Sequence, residues 1–119
     1  MNLSEKARKD ILKFILELIS DISDKDYQTR VWIRAEGPES VDFSETVCYF
    51  SQCDDVLEKY KDFGLTEDQY HILLNFSNKF RAFYRENDFP ELFIDTPEWD
   101  EITKMAKEVL KVFNYQPKK

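Results

Sequence analysis

A chain of 119 residues with 42% hydrophobic and 15% aromatic content suits one domain. It is long enough for a core without metal or disulfide staples and too apolar for a disordered tail. Its 24 acids against 17 bases leave a net charge of −7, which argues against nucleic acid and anionic membranes as partners and favours a basic partner or plain solubility. With only two Gly, folds built from many tight hairpins and Gly-rich phosphate loops are disfavoured.

The first predicted helix runs from about Ser4 to Ile22. Ala7, Ile11, Phe14, Ile15, Leu18, Ile19 and Ile22 recur at the three-and-four spacing of one face, with Lys6, Lys9, Asp10, Lys13, Glu17 and Asp21 opposite. Residues 26–36 fit two patterns. Alternation puts Tyr27, Thr29, Val31, Ile33 and Ala35 on one side of a strand, while Tyr27, Val31 and Ala35 also fit a helix capped by Asp24 or Asp26. A lone strand leaves its backbone groups without partners, and no second strand pattern exists, so the reading is helix, ended by Gly37-Pro38.

The next helical region spans about Asp42 to Asp62, with Phe43, Val47, Phe50, Leu57 and Tyr60 on one face. Asp54 falls inside that apolar arc, where an unpaired carboxylate is costly. Either the helix breaks near Ser51–Cys53 and Asp54 caps a second piece, or Asp54 faces a partner.

Gly64 is placed to end a helix, and Thr66 with Gln69 forms a capping box for the next, with Leu65 stapling against Tyr70. That helix reaches about Glu86, with Tyr70, Leu73, Leu74, Ser77, Phe80 and Tyr84 inward. Residues 87–95 connect it to the last helix, tucking Phe89, Leu92, Phe93 and Ile94 into the core. Thr96 caps the last helix with Pro97 at its first position. Trp99, Ile102, Ala106, Val109, Leu110 and Phe113 make its buried face, and residues 115–119 form a frayed tail. The fold expected is an all-α, single-domain bundle of five or six helices.

No catalytic template is complete. His71, the single His, has no companion ligands for zinc and reads as a surface residue. No base is placed beside a Ser or Cys nucleophile, no EF-hand spacing occurs, and adjacent acids such as Asp100 and Glu101 point to different sides of a helix. Cys48 and Cys53, five apart, fall on different faces, which argues against a bridge and for a reducing setting. The charged N-terminus shows no signal peptide, and no apolar run approaches the ~20 residues of a membrane span. The chain therefore reads as a cytoplasmic protein that is not an enzyme and needs no cofactor.

Charge is the remaining signal. Residues 35–58, AEGPESVDFSETVCYFSQCDDVLE, hold seven acids and no base, equal to the whole net charge. These carboxylates are interleaved with Phe43, Tyr49, Phe50 and Val56, and they follow the stretch containing Trp32. Interfaces are rich in Tyr and Trp, and complementary charge raises association rates. Carboxylates can also occupy a cleft built for phosphates, because both offer oxygen acceptors to Arg and Lys. Asp42, Glu45, Tyr49, Asp54, Asp55 and Glu58 are accordingly the candidate partner-binding residues.

The runs DFSETVCYF, CDDVLEKYKDFGLTEDQY and FPELFIDTPEWDEITKMAKEVLKVFNY, within residues 42–115, resemble the small immunity proteins of bacterial contact-dependent growth inhibition systems. The resemblance implies a cytoplasmic, non-enzymatic protein that binds and blocks the C-terminal toxin domain delivered by a neighbouring cell, often an RNase or DNase. Those proteins are diverse in fold and supply no binding motif, so the six candidate residues come from the charge pattern alone. An adaptor or regulator of another basic cytoplasmic protein would use the same surface. An enzyme using convergent carboxylates with a divalent cation is the third reading.

Overall fold

A computed structural model of the chain describes residues 4–36 and 42–116. The expected stop at Gly37-Pro38 lies outside the described residues. Three long helices form the frame: α1 (Glu5–Ile22), α5 (Glu67–Tyr84) and α7 (Pro97–Val112). Between them come α2 (Lys25–Tyr27), running directly into a π-helical segment (Gln28–Ile33), then α3 (Phe43–Phe50), α4 (Cys53–Glu58) and the single turn α6 (Pro90–Phe93). With α2 and the π segment taken as one run and the α6 turn set aside, this is the expected all-α bundle of six helices. No described residue is in a strand, and no helix is long and apolar enough to cross a membrane.

Local chemistry sets the boundaries of these elements. Ser4 caps α1 by accepting from the Ala7 amide, and Asp24, rather than Asp26, caps α2 by accepting from the Tyr27 amide. The capping box at α5 is present: Thr66 Oγ1 accepts from the Gln69 amide at 3.1 Å, and Gln69 Oε1 accepts from the Thr66 amide at 2.9 Å. Gly64, at φ +78°, lets the Leu65 amide reach back to the Tyr60 carbonyl. Asn114, at φ +55°, does the same for Tyr115 and Leu110, a task Asn tolerates.

The helix expected over residues 26–36 is real but wider than expected. In the π segment the Arg34 amide donates to the Thr29 carbonyl, five residues back. Its left-handed residue is Ala35, at φ +53°, so the turn away begins before Gly37.

α7 packs against both α1 and α5, α3 lies on α1, α4 on α5, and α6 on the π segment. At the centre is Trp99, fully buried, with the rings of Phe93, Phe83, Trp32, Phe43 and Phe80 at centroid distances of 4.7, 5.3, 6.1, 6.2 and 6.4 Å. Trp32 is therefore a core residue rather than a contact residue. Its ring nitrogen is buried without a hydrogen-bond partner among the described residues.

Two expectations need correction. Phe89 and Leu92 do not enter the core; they are 58% and 76% exposed. Residues 90–93 make one helical turn, and a turn directs only Pro90, Phe93 and Ile94 to its inner side. Nor is Tyr115 frayed: its amide donates to the Leu110 carbonyl at 2.9 Å, and its ring packs on the core. Residues 117–119 lie outside the described residues.

Candidate partner-binding surface

The acidic region is built on α3 and α4. The expected break falls between Phe50 and Cys53, where the backbone tightens into a turn. The amides of Ser51, Gln52, Asp54 and Asp55 each donate to the carbonyl three residues back. A three-residue turn advances about 120° per residue against about 100° in an α-helix. The phase therefore shifts, and Phe50, Cys53 and Val56, spaced by three, are all fully buried. Asp54, which falls inside the apolar arc of the regular periodicity, rotates away from that line, while Leu57 stays partly buried against the core. Asp54 becomes an exposed residue in the first turn of α4, where its charge suits the helix dipole. It does not cap α4, whose N-cap position is Gln52.

The six candidate residues divide by what already occupies them. Asp42 and Glu45 form the capping box of α3, with Asp42 Oδ1 accepting from the Glu45 amide at 2.9 Å. The sequence carried that signal in its D-x-x-E spacing. Asp54 pairs with Arg81 of α5. Asp55 and Glu58 are exposed and make no ion pair among the described residues. Tyr49 is 38% exposed and meets Phe14 of α1 edge-on, with ring centroids 5.7 Å apart. The free acidic surface of α4 is thus Asp55 and Glu58. Glu39 lies outside the described residues.

A second acidic stretch, which subtracting the first from the net charge conceals, completes the picture. Residues 86–103 also carry seven acids and no base. Of the 24 acids, ten then remain in the rest of the chain, against all 17 bases, so the remainder is positive by seven. Asp100 pairs with Lys25 at 2.6 Å and Glu101 with Lys79 at 3.6 Å. Glu86, Asp88, Glu91, Asp95 and Glu98 are exposed, with no ion pair among the described residues. The two stretches meet where Phe43, the first residue of α3, touches Phe93 of α6, centroids 5.0 Å apart. A count of bases along the chain would have found the second stretch without any structure.

Little else has the makings of chemistry. No group of three or more His, Cys, Asp or Glu side chains could hold a metal ion among the described residues. His71 is exposed and faces Glu67 one turn away, at 3.8 Å. A cleft of about 530 Å³ opens between the end of α1, the start of α2 and the end of α7. Its polar groups are of both signs, and two are already engaged: Asp24 as a helix cap and Lys25 with Asp100. Tyr115 lines it, and burial, with Glu17 and Asp21 nearby, raises its phenol so that it stays protonated.

The two cysteines are both free and sharply different: Cys48 is exposed on α3 and Cys53 is buried. Burial pushes the Cys53 thiol up to about 12, against the lowering pull of Arg81. A maleimide added to the native protein should therefore modify one thiol, Cys48, with Cys53 reacting only on unfolding. Intact-mass measurement with and without denaturant checks this; two rapid additions to the native protein would contradict the burial of Cys53.

No family model, curated protein or solved structure matches this chain.

Proposed function

We propose that this protein is an immunity protein, a cytoplasmic binder that neutralises a cognate, basic nuclease toxin domain through an acidic surface. The observation that carries the reading is the separation of charge along the chain: residues 35–58 and 86–103 together hold fourteen acids and no base, and Asp55, Glu58, Asp88, Glu91 and Asp95 among them are exposed with no ion pair among the described residues. A plain solubility device would spread its carboxylates among bases. Concentrated carboxylates instead steer a basic partner and can stand where a nuclease would hold phosphates.

The test is affinity capture with the tagged protein in lysate of its own cells, followed by association kinetics with the basic protein recovered. Asp55→Lys with Glu58→Lys reverses four units of charge while sparing Asp54, which Arg81 engages. Association should slow by about tenfold at low salt, with the difference shrinking as salt rises. Unchanged association at every salt concentration would remove the α4 face from the mechanism. A housekeeping protein as the tight partner, in place of a toxin, would replace the immunity reading with that of an adaptor.

A further inference from the structure

We infer that Phe89 and Leu92 are the apolar anchors of the docking surface, and that they insert into an apolar depression framed by Lys and Arg on a basic protein partner. The inference rests on the reading of the chain as a binder of a basic protein, and adds which side chains enter the partner.

The exposure of these two residues is out of keeping with the rest of the chain. Of ten Phe, only Phe89 is exposed, and among the described residues the exposed large apolar side chains are Phe89, Leu92 and, less so, Tyr49. They stand on a braced platform. Beneath them Pro90, Phe93 and Ile94 are buried, and Phe93 sits within 5.0 Å of Phe43 and Phe83 and 4.7 Å from Trp99. The connection is tied at both ends. Asn87 Nδ2 donates to the Phe83 carbonyl at 2.9 Å, and Thr96 Oγ1 donates to the Phe93 carbonyl at 2.7 Å. Anchors held in place before contact lose little freedom on binding, which is how a few apolar residues come to dominate an interface.

The charge around the pair selects the occupant. Asp88, Glu91 and Asp95, all exposed, flank it along the chain, where no Lys or Arg occurs from residue 86 to 103; across the fold, α6 packs on the π segment, which carries Arg30. A two-fold contact between copies through this face would bring these carboxylates together as they lose water, so a second copy is disfavoured. An anionic membrane meets the same repulsion. A protein that offers an apolar hollow with a cationic rim satisfies both the side chains and their surroundings.

The test places the photo-cross-linker p-benzoylphenylalanine at residue 89, at residue 92 and, as a control, at Lys9 on α1 of the full chain in cells. Cross-linked peptides are identified by mass spectrometry, and affinity for the protein found is measured with Phe89→Ala and Leu92→Ala together. Cross-links from 89 and 92 to one peptide bordered by Lys or Arg, with at least about a tenfold loss of affinity and an unchanged melting temperature, are expected. Cross-links to another copy of this chain, or none above the Lys9 control, would overturn the inference. If the partner found is basic but not a toxin, the docking surface stands and the immunity reading falls. If a toxin is still fully neutralised by the double variant, immunity stands and the anchors fall.

Discussion

Replacing Trp99 by Ala should destabilise the protein by about 4 kcal/mol, the upper range for truncating a buried aromatic residue. Trp99 is fully buried and meets five aromatic rings contributed by the π segment, α3, α5 and α6. Those rings cannot collapse into the void without leaving their own helices, so the cavity penalty adds to the lost transfer energy. A domain of this size has about 5–15 kcal/mol in all, so the variant should lose between about a quarter and most of its stability. Its thermal midpoint should fall by roughly 15 °C, and its urea midpoint in proportion. Glu108→Ala, on an exposed position of α7, is the control. If the two variants melt together, the ring cluster is not the centre of the fold.

The second large effect belongs to a polar residue. Gln28 is fully buried, and its amide satisfies three groups at once. Nε2 donates to the carbonyls of Asp21 and Ile22, at 2.9 and 2.8 Å, closing the C-terminal end of α1. Oε1 accepts from Trp99 Nε1 at 2.8 Å. Gln28→Leu fills similar space but leaves the indole N–H buried with no acceptor, and should cost about 3 kcal/mol in urea unfolding. Trp99→Phe removes the donor instead and strands Oε1. Combining the two leaves neither orphan, so the double variant should be less destabilised than the sum of the singles, by about 1 kcal/mol or more. Simple additivity would mean that the bond contributes nothing beyond packing.

The long helices were legible because their signals are local. Three-and-four spacing marked α1, α5 and α7, and Ser4, Thr66 and Thr96 marked where they start. The elements that escaped depend on distant groups. A π-helical register over residues 28–33 cannot be told from an α-helix by apolar spacing alone, and the amide network of Gln28 involves a residue 71 positions away. The phase shift between α3 and α4 moved Asp54 out of the core line and toward Arg81, 27 positions on. The same shift separated the candidate site into residues with structural tasks, Asp42, Glu45 and Asp54, and residues free for a partner, Asp55 and Glu58. Apolar character alone points Phe89 and Leu92 inward, but a single turn can bury only one side.

The position of α7 between α1 and α5 governs how the protein comes into being. α1 is synthesised first, yet much of its packing surface is supplied by the last helix. At roughly 5–20 residues per second, the amphipathic face of α1 waits several seconds for α7 to leave the ribosome. During that interval the Gln28–Trp99 bond cannot form. Folding is thereby deferred until α7 has emerged. A fragment ending before Trp99 lacks both the residue at the centre of the ring cluster and the helix that packs on α1 and α5.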